Sequence, residues 1–257
     1  MDIITSTQNK RIKYAKTLQT KARLRRSEMK LILEGNRLIN DALHRGAKPD
    51  YVLYTPDRAD YDLIAILQNK NCDLLPVSDE VLNYVSDTQQ AQGIIGIFFI
   101  PKPSLPKKPQ RILIMDTIRE PGNMGTILRT AGAAGVDLVI LSPGCVDPYN
   151  SKVLRAGMGA HYHVPIVEAT WSEIQNFCDD IPIYSATAKA EMRYTDVDWT
   201  QRSAFIIGNE AHGISKNARD IAKASISIPM ASDTESLNAA IATAVILFEA
   251  QRQRQSK

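Results

Sequence analysis

The sequence contains few cysteines and no long apolar run. Cys72, Cys145 and Cys178 lie far apart among 257 residues and form no C-x-x-C pair, which disfavours a disulfide framework or a cysteine zinc site. No run of about 18 apolar residues is present that could span a membrane. The first ten residues lack the apolar core of a signal peptide. We therefore expect a cytoplasmic protein with reduced thiols.

The sequence also lacks the glycine fingerprint of dinucleotide-binding domains. After the apolar segment 111–115 the chain continues Asp-Thr-Ile-Arg-Glu-Pro-Gly-Asn-Met-Gly over 116–125, without the spacing G-x-G-x-x-G. This absence argues against a nicotinamide enzyme and against an ordinary Rossmann methyltransferase. His161 and His163 have no partner at metal-ligand spacing, so we predict structural roles for them and no metal site.

Positive charge is concentrated in the first part of the chain. Residues 1–109 hold 17 Lys/Arg against 12 Asp/Glu, a net charge of +5, whereas 110–257 hold 14 against 16, a net charge of −2. Within 10–30, nine basic residues accompany one acidic residue, Glu28. Such a cluster suits a polyanion, because neutralised phosphates release counterions; a solvated helix face would give the same pattern. The candidate RNA-binding residues are Lys10, Arg11, Lys21, Arg23, Arg25, Arg26 and Arg37.

Four prolines within 101–109 predict a linker, because proline resists both helix and sheet. We predict a small α/β domain over 1–100 that binds RNA, and a second domain over 110–257. In the second domain, short apolar segments alternate with helical patterns, which is typical of a parallel sheet covered on both faces. The predicted strands are 111–115, 137–141, 163–167, 182–185, 203–207 and 225–228, and the predicted helices include 123–134 and 236–251.

Three segments of the second domain lie where a strand or turn meets a helix. The first is Pro-Gly-Asn-Met-Gly at 121–125, followed by Arg129. The second is Gly-Asn-Glu-Ala-His-Gly at 208–213, and the third joins Ile-Pro-Met at 228–230 to Glu-Ser-Leu-Asn at 235–238. Ligands of open parallel sheets bind at the carboxyl ends of strands, and glycine lets a ligand approach the backbone. The segments are therefore candidates for one binding site.

Each segment alone has an ordinary structural explanation: Asn123 or Ser236 would cap a helix, and Glu210 would be an exposed turn carboxylate. Together and in this order they resemble the three signature motifs of the SpoU (TrmH) family in the SPOUT superfamily. Those motifs are Asn-x-Gly-x-x-x-Arg, Gly-Asn-Glu-x-x-Gly, and Ile-Pro-Met followed by Ser-Leu-Asn. The resemblance covers 110–253. Glu-Gly-Asn-Arg at 34–37 also resembles the substrate-binding extension of rRNA-directed members.

The resemblance implies an RNA 2′-O-ribose methyltransferase that uses S-adenosylmethionine and pairs as a homodimer. It implies a parallel α/β fold whose C-terminal stretch is threaded into a deep trefoil knot, which general folding rules would not predict. By motif position, the residues that bind the cofactor would be Ser185, Ala186, Thr187, Gly208, Asn209, Ile228, Met230 and Leu237. The catalytic residues would be Asn123, Arg129, Glu210, Ser236 and Asn238.

Arg129 has a chemical reason to be present. The resemblance implies a general base at Arg129, although a guanidinium is very hard to deprotonate. The alternative role is positioning and charge stabilisation, because a guanidinium can donate hydrogen bonds to a phosphate and to a developing alkoxide. The sequence departs from the family pattern at Ala211, where many members have glycine. A glycine often found between Met230 and Ser236 is also missing, which leaves the geometry of that loop open.

Several alternatives remain at this point. A tRNA could be the substrate in place of rRNA, the methyl group could go to a base, or the chain could bind RNA without catalysis. The last helix has an apolar stripe that would face either its own core or a second copy of the chain. Its residues are Ala240, Ile241, Ala244, Val245 and Phe248.

Overall fold

The computed structural model describes residues 2–102, 104–209, 211–231 and 235–256. It divides into two compact units. Unit 1 runs to Lys102 and also contains Asp147–Tyr162, while unit 2 contains the rest of the described chain. The division at residue 102 falls inside the segment that we predicted as a linker. The segment Asp147–Tyr162 lies in sequence within the predicted second domain, yet it packs with unit 1.

The described residues form ten α-helices and eleven strands, numbered along the chain. The helices are α1 (Lys10–Thr20), α2 (Ala22–Glu28), α3 (Asn36–His44), α4 (Tyr61–Asn69), α5 (Asp79–Val85), α6 (Pro121–Ala133), α7 (Ser151–Gly157), α8 (Trp171–Phe177), α9 (Lys216–Ile221) and α10 (Ala239–Gln255). The strands are β1 (Lys30–Glu34), β2 (Pro49–Tyr54), β3 (Asp73–Pro76), β4 (Ile94–Phe99), β5 (Arg111–Met115), β6 (Leu138–Leu141), β7 (Ile166–Glu168), β8 (Ile183–Ala186), β9 (Met192–Arg193), β10 (Ser203–Ile207) and β11 (Ala224–Ser227).

Unit 1 contains a mixed sheet in the order β1-β4-β2-β3, in which only β2 and β3 run parallel. Alternate residues of a strand point to opposite faces, and both faces are apolar here. Ile32 and Ile97 pack with α1 and α5 on one face, while Leu31 and Phe98 pack with α3 and α4 on the other. Leu154 of α7 joins the second core, which explains why the segment around α7 belongs to this unit.

Unit 2 contains a sheet in the order β7-β6-β5-β10-β8-β11-β9, and every strand pair in its described residues is parallel. Ile112, Ile140 and Ile206 share a face that packs with α8 and α9. Helices α6 and α10 pack against each other. Strands β6 and β7 lie on one side of β5, and β8 to β11 lie on the other side, with β10 next to β5. The neighbours β5 and β10 therefore flank a topological switch point. Such a point marks the crevice where open α/β sheets bind ligands.

The predicted α/β class with a parallel sheet is confirmed, while the knot stays a prediction. Several predicted boundaries were displaced, and two elements begin three residues later than predicted. The strand expected at 163–167 begins at Ile166, because Ala160–Tyr162 forms a 3-10 turn. The last helix begins at Ala239 and not at 236, because Asn238 caps it. No described helix combines the length and apolar character needed to cross a membrane.

Candidate cofactor and RNA sites

A cavity of about 280 Å³ lies in unit 2 at the carboxyl ends of β8, β10 and β11. Seven of the eight predicted cofactor-binding residues line it: Ala186, Thr187, Gly208, Asn209, Ile228, Met230 and Leu237. The eighth, Ser185, does not line it. Its side chain is buried, and its hydroxyl oxygen lies 3.1 Å from that of Ser225 on the neighbouring strand. Ser185 therefore stabilises the strands behind the cavity wall.

The turn from Gly208 to Gly213 forms one wall of the cavity from main chain. Asn209 and Gly213 exchange two backbone hydrogen bonds of 3.0 and 2.8 Å, and the side-chain Nδ2 of Asn209 donates to the Thr117 carbonyl at 2.9 Å. A methyl group on Gly208 would overlap the Gly213 carbonyl and lie 2.7 Å from the Ile214 nitrogen. The absence of a side chain at Gly208 therefore lets the two sides of this turn pack closely together beside the cavity.

Asp116, which we did not predict as part of the site, organises the loops around the cavity. It follows β5 directly and is fully buried. Its Oδ2 accepts from the Ser215 nitrogen at 2.6 Å, and its Oδ1 accepts from the Ser142 hydroxyl at 3.4 Å. One carboxylate thus ties together the loops that follow β5, β6 and β10. A single acidic residue directly after an apolar strand was the available signal in the sequence.

The first and third motifs meet through a hydrogen bond. Asn238 Nδ2 donates to Asn123 Oδ1 at 3.0 Å, across 115 residues of sequence. Asn238 Oδ1 accepts from the first backbone nitrogens of α10 and so caps that helix. Asn123 is not the cap of α6, because Glu120 holds that position and accepts from the Asn123 nitrogen at 2.6 Å. Ser236 and Leu237, just before Asn238, line the cavity.

For the other two predicted catalytic residues, Arg129 and Glu210, the described part of the structure gives no contact with the cavity. Arg129 is exposed on α6, downstream of Asn123, and does not line the cavity as described. Glu210 lies outside the described residues. The motif pattern alone therefore supports a catalytic role for these two residues.

The chemistry of the cavity fits S-adenosylmethionine. Its walls are mostly aliphatic, with Ile207, Ile226 and Ile246 among them, and such walls suit the adenine and ribose of a nucleoside ligand. Gly208 lines the cavity without a side chain, so a ligand can approach its main chain closely. Glu235 contributes a carboxylate to the lining, and a negative charge favours a sulfonium cation over a neutral thioether.

Six of the seven predicted RNA-binding cations are exposed on unit 1: Lys10, Arg11, Lys21, Arg23, Arg26 and Arg37. Arg11 also forms an ion pair with Asp73. The prediction for Arg25 is wrong. Its side chain is only 5% exposed, and Nη2 lies 2.6 Å from Asp147 Oδ2. Arg25 Nη1 also donates to the Leu18 carbonyl at 2.6 Å. The charge of Arg25 is therefore neutralised inside the unit and anchors the segment that begins at Asp147.

His161 is a second anchor in the same segment. It is buried in unit 1, and its Nε2 lies 2.7 Å from the Pro148 carbonyl, to which it donates in the neutral form. Its Nδ1 is buried without a hydrogen-bond partner among the described residues. Burial disfavours the charged ring and lowers the pKa of His161 to about 4. His161 is therefore neutral at physiological pH, with a packing role.

Two domain families match the chain. Residues 110–248 match the SpoU rRNA Methylase family, and residues 9–96 match the MRM3-like substrate binding domain. The chain is 33% identical to "rRNA methyltransferase 3, mitochondrial" of Mus musculus, over 97% of this chain and 73% of that protein. It is 29% identical to RlmP of Bacillus subtilis, named as a 23S rRNA (guanosine(2553)-2′-O)-methyltransferase, over 96% of this chain and 98% of the relative.

A solved structure matches nearly the whole chain. It is the crystal structure of the SpoU methyltransferase AviRb from Streptomyces viridochromogenes in complex with the cofactor AdoMet. The TM-score is 0.89 at 25% sequence identity, and the match covers 97% of this chain and 99% of AviRb. With the family match over more than half of its length, this chain belongs to the SpoU rRNA methylase family.

Proposed function

We propose that this chain transfers a methyl group from S-adenosylmethionine to a ribose 2′-hydroxyl of ribosomal RNA. The observation that carries the proposal is the continuity of two features in unit 2. Ser236 and Leu237 line the glycine-backed apolar cavity, and the next residue, Asn238, donates a hydrogen bond to Asn123. The names of the relatives support the same chemistry, since AviRb was crystallised with AdoMet and RlmP is named as a 2′-O-methyltransferase of 23S rRNA.

When bound, S-adenosylmethionine supplies a methyl group that the sulfonium charge already activates. The residues of the chain must hold the ribose oxygen in line with that methyl group. The Ser236 hydroxyl and the paired amides of Asn123 and Asn238 are the groups that orient the ribose. Arg129 would donate hydrogen bonds to the adjacent phosphate and stabilise negative charge on the oxygen as its proton passes to solvent water. By motif position, Glu210 belongs to the same site.

Unit 1 supplies the RNA affinity in this proposal. Its exposed cations face a polyanion favourably, and residues 9–96 match a substrate-binding domain. The two proposed roles are thus divided between the basic surface of unit 1 and the cavity of unit 2. We place the enzyme in the cytoplasm, where a bacterial relative such as RlmP would meet 23S rRNA.

We also propose a homodimer that pairs through α10. Ile241 and Phe248 are 54% and 51% exposed, and a spacing of seven residues places them on the same side of the helix. Ala244 and Val245 between them are half-buried. Sedimentation equilibrium at micromolar concentration should give a dimer for the wild-type chain and a monomer for Phe248→Asp. A monomeric wild-type chain would contradict the pairing.

The test of the reaction uses two changes. Arg129→Ala should lower turnover roughly 10²- to 10³-fold, because a charged donor to the transition state is lost, while the Kd for S-adenosylmethionine stays within twofold of wild type. An RNA with a 2′-deoxy sugar at the mapped target should bind and accept no methyl group. Nucleoside mass spectrometry of both RNAs measures the product. Methylation of the 2′-deoxy RNA at the normal rate would assign the methyl group to a base, and no methylation of any rRNA would leave a non-catalytic RNA-binding protein.

A further inference from the structure

An aromatic surface lies in unit 1 where β1 and β4 pair. Lys30 and Phe99 are cross-strand partners in these antiparallel strands, so their side chains share a face. Lys30 Nζ lies 5.2 Å from the ring centroid of Phe99 and 5.5 Å from that of Tyr14 on α1. Phe99 is the last residue of β4 and is 43% exposed. We call Tyr14, Lys30 and Phe99 the aromatic shelf.

The charge of Lys30 is already matched within unit 1. Its Nζ lies 2.8 Å from Asp50 Oδ2, and this ion pair fixes the ammonium group against the two rings. A phosphate at this position would compete with the Asp50 carboxylate. A flat, uncharged base needs only the open surface of the Phe99 ring. The shelf therefore suits a nucleobase better than a phosphate.

Two exposed lysines lie near Phe99, one across the backbone pairing and one further along the chain. Lys48 is exposed, and its carbonyl accepts from the Phe99 nitrogen at 3.1 Å. Lys102, three residues beyond Phe99, is also exposed. The same pairing of cation and ring recurs on α1, where Lys16 Nζ lies 5.4 Å from the ring centroid of Tyr84. Rings interleaved with cations are how proteins hold single-stranded nucleic acid, because each base offers a π-face and each phosphate a charge.

We propose that the aromatic shelf stacks an unpaired base of the RNA substrate. Unit 1 then selects a looped or single-stranded segment over a continuous duplex, whose base faces are hidden in the helical stack. This inference rests on the RNA methylation proposed above and adds the form of RNA that unit 1 recognises. A specific contact of this kind also explains why a large aromatic residue stays exposed at the end of a strand whose other residues are buried.

The experiment compares full-length wild type with Phe99→Ala, Phe99→Trp and Tyr61→Ala. Tyr61 is the matched control, because it is an aromatic residue of the same unit with 81% exposure and lies outside the shelf. The probes are a labelled oligoadenylate of about a dozen nucleotides and an RNA duplex of equal length, both followed by fluorescence anisotropy. Phe99→Ala should weaken oligoadenylate binding roughly 5- to 150-fold, the range for loss of one base–aromatic stack. The salt dependence should not change, since no phosphate contact is removed.

The variant Phe99→Trp distinguishes the loss of stacking from a folding defect of Phe99→Ala, because it keeps a large aromatic ring at this position. It should keep wild-type affinity for the oligoadenylate, and its added fluorescence should be quenched when the RNA binds. Tyr61→Ala and the duplex probe should show little change. Equal oligoadenylate affinity of Phe99→Ala and wild type, or unquenched Phe99→Trp at saturation, would overturn the proposal. Self-association that depends on Phe99 without any effect on RNA would overturn it as well. If wild type methylates rRNA under these outcomes, only the shelf fails. If wild type neither binds nor methylates rRNA, the proposed function fails too.

Discussion

The cavity of unit 2 and the basic surface of unit 1 use opposite chemistry to meet a ligand. The cavity is lined by aliphatic side chains and by the Gly208 turn, whose backbone forms the wall. The surface of unit 1 carries long, exposed cations, and aromatic rings lie beside the partly buried Lys16 and Lys30. Shape and backbone contacts recognise one small molecule, whereas exposed charges recognise a class of polymer. The two sites should therefore respond differently to salt and to substitution.

Salt provides the largest expected difference between the two sites. If about six exposed cations neutralise phosphates, raising salt from about 50 to 200 mM should lower RNA affinity roughly 10³-fold. The affinity for S-adenosylmethionine should change less than twofold, because apolar and backbone contacts are little screened. Anisotropy titrations with an rRNA fragment measure the RNA affinity, and calorimetry measures the cofactor affinity. Equal salt dependence of the two affinities would contradict the proposal that unit 1 binds RNA and unit 2 binds the cofactor.

The buried Arg25 tests whether every cation in the basic segment belongs to the surface. Arg25→Ala would leave the Asp147 carboxylate buried without its partner, which typically costs about 3–5 kcal/mol of unfolding free energy. Arg23→Ala, at an exposed position two residues earlier, should change it by less than about 0.5 kcal/mol. Urea denaturation of both variants makes the comparison. Similar unfolding free energies for the two would mean that the ion pair contributes little.

Arg25 also illustrates how far the sequence could lead. Its charge and its place among eight other basic residues within 10–30 predicted an exposed RNA contact. The partner Asp147 lies 122 residues away, and no local pattern predicts a pair at that separation. We likewise predicted that the segment Asp147–Tyr162 belongs to the second domain, because it follows the linker in sequence. Its buried residue Leu154 packs into a core of unit 1, and the segment belongs to that unit.

Local patterns were more informative where a residue's role depends on its neighbours in sequence. The strand 203–207 was predicted with the observed bounds, because five apolar or small residues form one buried segment. Seven of eight cofactor residues predicted from motif position line one cavity, because those motifs fall at or after the carboxyl ends of β8, β10 and β11. Asp116 escaped prediction, since its importance comes from hydrogen bonds to loops that start 26 and 99 residues later.

His161 contributes a pH dependence that belongs to unit 1 alone. Its folded pKa of about 4 lies below the ordinary value of 6.5, so the unfolded chain binds the proton more readily. The unfolding free energy should therefore fall as pH drops from about 6.5 to 4, by about 3 kcal/mol in total, and level off below that. His161→Gln should abolish this part of the pH dependence, while His44→Gln, at an exposed position, should keep it. Parallel wild-type and His161→Gln curves over this pH range would contradict the assignment.

The substitution Gly208→Ala tests whether the cavity of unit 2 binds the cofactor, as the salt titration tests whether the surface of unit 1 binds RNA. The added methyl group would overlap the Gly213 carbonyl, and main chain cannot move aside as a flexible side chain does. We expect the turn to shift and the Kd for S-adenosylmethionine to rise roughly 5- to 150-fold, which corresponds to about 1–3 kcal/mol of overpacking. Gly132→Ala is the matched control, because a methyl group there would lie 3.6 Å from its nearest neighbours on His163 and Val164. Calorimetry should show this weakening for Gly208→Ala alone, with the RNA affinity of both variants unchanged. A Gly208→Ala chain that binds the cofactor normally would mean that the backbone of this turn does not form the binding wall.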